Sequence, residues 1–471
     1  MQDVIKNTTF DELKVGATAS IERTLSLQDI YLFAHVSGNT NPAHMPADGK
    51  PATADIVAPS MWAGSLLSAV FGTLLPGPGT LLLSQQISFR CGVHIGDTVI
   101  VSVRCAAKHA KPLATFETKI LKRDGTVVAE GLAEINVPIK SMSLANRELP
   151  TLILDQKNQF LPLIDAARSL GRMATAVVCP DDSNSLTGAV LAAREGIIEP
   201  ILIGVKAAIL QAAEAAGVDV TPYRIVEAST HDEAASRAVE IVRKGEAAAI
   251  MKGNIHSDQL LAQVVKKEGG LRANRRISHV FVMDVPTLDE LLFISDAAIN
   301  IAPDLLTKVD IVQNAIDLAL ACGLEKPRVG VLSAVETVNP NIPSTIDAAA
   351  LSKMAERGQI VGGIVDGPLA MDNAMDLAAA RTKGIASPVA GQANVLIVPN
   401  LEAGNMLAKE LTFVARAEAA GLVVGAKVPV MLTSRADNAK SRLASAALAA
   451  LYDYRRRTGR SAFTAAKTAA E

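Results

Sequence analysis

Val428-Pro429-Val430-Met431-Leu432-Thr433-Ser434-Arg435-Ala436-Asp437 is a short apolar run that ends in a hydroxyl, a guanidinium and a carboxylate. A strand buried in a parallel sheet reads as a continuous apolar stretch, and such sheets bind ligands beyond the carboxyl ends of their strands. A guanidinium offers forked recognition of phosphate or carboxylate, and a hydroxyl can donate to charge developing on a carbonyl oxygen. The run therefore points to a parallel α/β sheet and to chemistry on an oxyanion or acyl group. A loop with a surface Arg and a hydroxyl-stabilised turn would have the same composition.

Working outward, residues 151–471 alternate apolar runs with Ala-rich helical stretches. The runs include Ala174–Val178, Ile201–Ile203, Ala248–Met251, Arg328–Leu332 and Val395–Val398. This alternation predicts βαβ units, right-handed crossovers and a largely parallel sheet. Some 320 residues exceed the size at which a single core stops growing, so two lobes with a cleft are expected. Four further polar clusters close apolar runs: Asp181-Asp182-Ser183, Lys252–Asp258, Asp366–Asp372 and Pro399–Asn405. Glycines there permit close backbone approach to a ligand, while Asn and Asp at such positions also cap helices. Five clusters at strand ends favour a shared cleft.

Residues 1–140 have another texture. A strand-like stretch near Ala17–Ser26 precedes a predicted helix over Leu27–Val36, with Ser26 and Asp29 at its start. A second helix over about Ser60–Leu75 stops at Pro76-Gly77-Pro78-Gly79. Strands are predicted near Leu81–Arg90, Asp97–Lys108, Leu113–Lys122 and Thr126–Ile135, with Arg123-Asp124-Gly125 as a hairpin turn. One helix with consecutive antiparallel strands is an α+β domain. Residues 141–152 carry no periodicity and read as a linker. The domain expectation is 1–140, then 153–471 with a second lobe over about 290–432.

Composition limits the partners. The 471 residues carry a net charge of −2 with both signs interspersed and no basic stripe, so nucleic acid is not expected. Aromatics are 3% of the chain, so the cores are aliphatic. Cys91, Cys105, Cys179 and Cys322 lie far apart without metal or disulfide spacing. No apolar run approaches ~20 residues and no secretory leader is visible, so neither a membrane nor export is expected and the cytoplasm is the default compartment.

As a set, Asp366–Asp372, Pro399–Asn405, Ser434-Arg435, Gly196–Gly204 and Lys252–Asp258 make residues 155–471 resemble the phosphate acetyl/butyryltransferase family. Lys252-Gly253-Asn254 and Ser278–Met283 resemble its butyryl-type branch more closely. The resemblance implies a two-lobed α/β/α domain of the isocitrate/isopropylmalate dehydrogenase-like type. It implies the reaction acyl-CoA + phosphate ⇌ acyl phosphate + CoA, with CoA and phosphate as substrates and no metal or organic cofactor. It assigns Arg435 to phosphate, Ser434 to the reacting carbonyl or thiol, and substrate contacts to Asn254, His256, Asp366, Pro368, Asp372, Asn400, Glu402, Gly404 and Asn405. The acetyl branch has a catalytic Asp seven residues beyond the Ser; here that position is Ser441, and Asp437 is the nearer acid. A family phosphate-binding Arg aligns near Leu261, leaving Arg272, Arg275 or Arg276 for that role.

Ser37-Gly38-Asn39-Thr40-Asn41-Pro42-Ala43-His44, with Val57–Trp62, Leu75–Thr80 and Gly92–Thr98, makes residues 10–140 resemble MaoC-like enoyl-CoA hydratases, which have a hot-dog fold. In that family an Asp and a His hold the water that adds to a trans-2-enoyl-CoA. His44 matches the His, but Asn39 occupies the Asp position and an amide cannot accept the proton. Pro59-Ser60 also replaces the family's His-Gly. Nearby Asp48 and Asp55 are further acids. The expectation is an α+β hot-dog domain followed by the two-lobed transferase domain, in a homo-oligomer, with an altered hydratase or an acyl-CoA-binding module at the front. The alternatives are a CoA-thioester-binding protein with a non-catalytic hot-dog module, and a metal- and nicotinamide-dependent decarboxylating dehydrogenase. The dehydrogenase would need an Asp cluster and an adenosine-ribose acid that the sequence does not display.

Overall fold

A computed structural model of the chain describes residues 4–45, 56–145, 158–432 and 438–463. The chain divides into two compact units, Met1–Leu154 and Asp155–Glu471. Ser434, Arg435, Asp437, Asp48 and Asp55 lie outside the described residues. No described helix is long and apolar enough to cross a membrane.

In the first unit five antiparallel strands lie in the order Thr18–Thr24, Thr98–Lys108, Leu113–Lys122, Val127–Asn136, Leu81–Phe89. Alternate residues point inward, as a half-buried sheet requires: Val99, Val101, Val103 and Cys105 on one strand face Ala114, Phe116 and Ile120 on the next. Helix Ser60–Ala69 supplies Trp62, Ala63 and Leu67 to this core, and its continuation places Phe71 edge-on to Phe116 at 5.6 Å. The α+β expectation holds, with strand ends within one or two residues of those predicted. One difference lies in the stretch read as linker. Ser143–Ala145 pairs antiparallel with Val4–Lys6, and the buried Asn7 amide bonds the carbonyls of Pro78 and Lys140. Three residues are too short to show a period, so the sequence displayed no strand there.

In the second unit eleven strands form one sheet. From one edge they are Arg224–Glu227, Ile198–Gly204, Met173–Val178, Ala249–Lys252, Val430–Met431, Glu418–Val424, Ser278–Asp284, Leu292–Ser295, Val395–Ile397, Arg328–Leu332 and Ile364–Leu369. The first five run parallel, and the last four run parallel in the opposite sense. Glu418–Val424 and Ser278–Asp284 lie between them, antiparallel to their neighbours. The sheet thus holds two parallel blocks of opposite sense. The expectation of a largely parallel sheet did not include this reversal, because a strand buried on both faces has the same apolar texture in either direction. Val430–Met431, placed by sequence at the end of the second lobe, belongs to the first block. Helix Ala439–Thr458 packs on helices Leu161–Arg168, Ser183–Arg194 and Leu305–Ala321 and on strand Glu418–Val424, so it spans both blocks.

Helix Leu27–Ser37 starts with a reciprocal cap: Ser26 Oγ accepts from the Asp29 N–H, and the Asp29 carboxylate accepts from the Ser26 N–H and from Arg23. Burial works against the charged carboxylate, but the bonds from Ser26 and Arg23 outweigh it and hold Asp29 below its ordinary range. A depressed carboxyl pKa stabilises the fold above the unfolded value, and that contribution is lost as pH falls through the folded one. Asp29→Asn is therefore expected to cost about 1–2 kcal/mol at neutral pH and to flatten the acid limb of stability. Urea unfolding followed by Trp62, the chain's single tryptophan and buried in this unit, measures both.

Candidate active site

Strand Ala249–Lys252 is paired on both sides, Lys252 opposite Val178 and Met251 opposite Met431. Three carboxyl ends are thereby held level, and the clusters Asp181–Ser183 and Lys252–Asp258 leave the sheet together. Beyond them the backbones close up: the Gly253 N–H donates to the Val178 carbonyl at 2.8 Å and the Asn254 N–H to the Cys179 carbonyl at 2.7 Å. A Cβ on Gly253 would lie 2.3 Å from the Cys179 carbonyl oxygen and 2.6 Å from that of Val178. Only glycine fits. Asn254 is half-buried, and His256 opens helix Ser257–Val264 without its side chain being spent on the cap, leaving the imidazole exposed. Asp182 does cap its helix, accepting from the Ser185 N–H at 2.9 Å.

The strand ends at Met431, and helix Ala439–Thr458 begins after Asn438, which accepts from the Ser441 N–H at 2.8 Å. Ser434, Arg435 and Asp437 fall between these points, outside the described residues. Ser441, at the position of the family's acid, lies on the first turn of that helix. Two buried cations flank the region and escaped the list of candidate residues. Lys252 is 5% exposed at the end of its strand, and Arg442 is 2% exposed on the helix's first turn. Gly188 makes room for Arg442, since a Cβ there would lie 2.4 Å from the Arg442 Cδ. Asp182 is held below the usual carboxylate range: burial opposes this, and the Ser185 bonds and the Arg442 charge prevail. The signal was a glycine in mid-helix, legible only once its neighbour was known.

The second block presents its own ends. Asp296 follows Leu292–Ser295, is 2% exposed, and accepts the N–H groups of Ala298, Ile299 and Asn300. The Asn400–Asn405 segment is laced to this loop: Leu401 N–H to the Ile301 carbonyl at 3.0 Å, Asn405 Nδ2 to the Ala297 carbonyl at 3.3 Å, with Gly404 against Ala297. Asn400 caps helix Leu401–Phe413 through the Ala403 N–H, and Glu402 is exposed on its first turn. Asp366 and Pro368, expected just beyond a strand, lie inside strand Ile364–Leu369, because the pairing with Arg328–Leu332 runs on through Asp366 opposite Gly330; Asp366 is half-buried and accepts from the Gly367 N–H at 2.9 Å. Asp372 is exposed and paired with Lys383 at 3.2 Å.

His279, within a string quoted only for the resemblance, joins the blocks. Its N–H donates to Asp296 at 3.3 Å. Its Nε2 and the Leu432 carbonyl oxygen lie 2.7 and 3.5 Å from the point where a Gly421 Cβ would stand. Burial pushes the imidazole down to about 4 against the pull of Asp296, so it is neutral at physiological pH. Arg272 and Arg276 do not join the loop Lys252–Asp258. Helix Ser257–Val264 carries the chain away, and Arg272 bridges Ala426 in the turn at the far end of the hairpin from Leu432. Arg276 is exposed, with its N–H on Asp310 and its carbonyl accepting from Asn314.

The family model for phosphate acetyl/butaryl transferase matches residues 228–450. A phosphate acetyltransferase of Rhizobium meliloti is 57% identical over 302 residues, 64% of this chain and 96% of that protein. The chain belongs to the phosphate acetyl/butyryltransferase family. A phosphate butyryltransferase of Clostridium acetobutylicum is 42% identical over 292 residues, 62% of this chain and 97% of that one. A crystal structure of a branched-chain phosphotransacylase from Enterococcus faecalis V583 is similar at a TM-score of 0.53 and 30% identity, covering 60% of this chain and 99% of that chain. The second unit of this acyltransferase thus has the phosphotransacylase fold.

In the first unit, the Asn39 Oδ1 accepts from the Asn41 N–H and the Asn41 Oδ1 from the Ala43 N–H, a ladder of turns that delivers His44. His44 Nδ1 lies 2.8 Å from the Val57 carbonyl. A carbonyl only accepts, which assigns the proton to Nδ1 and leaves Nε2 with a free lone pair.

One nucleophile can be set aside. Cys179 borders the first-block ends, but burial, aided by the Asp181 charge, pushes its thiol up to about 12. The thiolate is the reactive species, and it is not formed near neutrality. Cys179→Ala is expected to keep acyl transfer within about threefold, with iodoacetamide at pH 8 leaving the native enzyme active. A tenfold loss in either arm would restore Cys179 as a covalent acyl carrier.

Proposed function

We propose that the second unit converts a short-chain acyl-CoA and phosphate to acyl phosphate and CoA by direct attack within one ternary complex. A phosphate oxygen bonds to the thioester carbon, the C–S bond breaks, and the CoA sulfur takes up a proton as it leaves. The observation that carries this reading is the level alignment of three strand ends, two buried cations and the Ser434-Arg435 run on a chain 57% identical to a phosphate acetyltransferase. Arg435 holds phosphate, Ser434 donates to the carbonyl oxygen in the tetrahedral intermediate, and Asp437 is the candidate proton acceptor in place of the acid that Ser441 replaces. Asn254, His256 and the Asp296–Asn405 loops contact substrate. The opposed strand blocks support a sheet of the isocitrate/isopropylmalate dehydrogenase-like type.

The test is thiol consumption from CoA with acetyl through hexanoyl phosphate. Turnover with at least one short acyl phosphate is expected, and Ser434→Ala lowers it by ~10²–10³-fold, the effect of losing one oxyanion donor. An unchanged rate in that variant removes Ser434 from the mechanism.

The first unit we read as a MaoC-like hot-dog module that binds acyl-CoA, with hydration weakened by Asn39. The His44 tautomer leaves a base at Nε2, but the Asn39 amide carbonyl is engaged by its own loop and can accept no proton. Restoring a general acid–base partner is worth typically 10²–10⁴-fold. Crotonyl-CoA hydration, followed by loss of enoyl absorbance, is expected to rise on Asn39→Asp; no activity in either form assigns the unit to binding alone. Exposed Leu81, Leu82 and Leu83 on an edge strand support pairing of two such units in a homo-oligomer.

A further inference from the structure

The far end of the second unit holds a cavity of about 620 Å³, within the range of roughly 300–1,000 Å³ typical of small-molecule sites. Its wall comes from four separated pieces of chain: Arg272–Arg275, Asn314 and Asp317 on helix Leu305–Ala321, the turn Gly425–Lys427 and the last turns of helix Ala439–Thr458. Arg455, on that helix, is fourteen positions from Ser441. At 1.5 Å per residue the cavity is about 20 Å from the catalytic end.

Its charge is one-sided. Arg272, Arg275, Lys427, Arg455 and Arg456 face a single lining acid, Asp317. Asp317 is already paired with Arg275 at 2.6 Å, and Arg456 with Asp453 at 2.8 Å. Arg272, Lys427 and Arg455 have no acidic partner among the described residues. Unpaired cations converging on a cavity raise the local concentration of anions, and two guanidinium forks suit phosphate or carboxylate oxygens.

We propose that this cavity is a second, non-catalytic site for a small polyanion that carries phosphate or carboxylate oxygens. The cations of the lining hold the acidic oxygens. The site is independent of the transferase chemistry, and its occupant need not be a substrate.

Calorimetric titration of the full-length protein with ATP and, separately, with citrate tests the site and distinguishes phosphate from carboxylate. One of them is expected to bind once per chain with a Kd below about 1 mM at low salt, and to weaken as salt shortens the reach of the charges. Lys427→Glu with Arg455→Glu is expected to weaken that binding by about tenfold or more, from the reversal of two unpaired charges. The KM for CoA and kcat should stay within about twofold of the parent. Lys427→Glu alone, at an exposed position, gives the same direction should the double variant fold poorly. The proposal is overturned if neither probe binds, if the reversals leave the Kd unchanged, or if they raise the KM for CoA tenfold, which would make the cavity part of the substrate site.

Discussion

The candidate active site depends on a backbone approach that leaves no room for a side chain. Gly253 lies against the carbonyls of Val178 and Cys179, and its N–H and that of Asn254 continue the strand pairing one step past the end of the sheet. Because Ala249–Lys252 is paired on both flanks, that single contact fixes the heights of two neighbouring loops. The clusters at Cys179–Ser183 and Lys252–Asp258 therefore leave the sheet at the same level as the chain beyond Met431. Any side chain at Gly253 would have to push apart strands whose other residues are fully buried, and buried sheets transmit such a displacement rather than absorb it.

A second constraint reaches across the molecule. The sheet reverses at Glu418–Val424 and Ser278–Asp284, and the reversal puts His279 between the Asp296 loop of one block and Leu432 of the other. A cation there would have to be buried without solvent; a neutral imidazole can pack. The Gly421 N–H donates to Ser445 Oγ, which in turn donates to the Ser441 carbonyl, so the reversal also holds the first turns of helix Ala439–Thr458. The last turns of that helix line the basic cavity, so one continuous element runs from Ser441 to that cavity.

Much of this was legible in the sequence. In the first unit, period-two alternation and the Pro-Gly breakers placed the helix and strands, because each element there faces water on one side. The apolar runs of the second unit marked strands but not their direction, since burial on both faces erases that information. Of the candidate residues, Asn254, His256 and Asn400 do stand just beyond strand ends, with Gly404 and Asn405 on the helix that Asn400 caps, because a glycine or amide after an apolar run marks both a cap and a ligand loop. Arg272 and Arg276 lie elsewhere because an Arg cluster carries no positional signal: its reach is set by the path of the intervening helix. Arg442 and Lys252 went unranked for a related reason. Burial of a cation is decided by what packs over it, here Gly188 and the neighbouring strand end, and neither is local in sequence.

The bulk charge of −2 concealed the most useful electrostatic fact about the chain. Two groups of cations exist at opposite ends of one helix, and they differ in burial. Lys252 and Arg442 are almost wholly desolvated, so their fields act in low dielectric and are little screened by salt. Lys427 and Arg272 are exposed, and Arg455 half-buried, so their attraction for an anion is weaker and falls with ionic strength. The same residue types thus sit in two different dielectric settings, set by what packs over them rather than by local sequence.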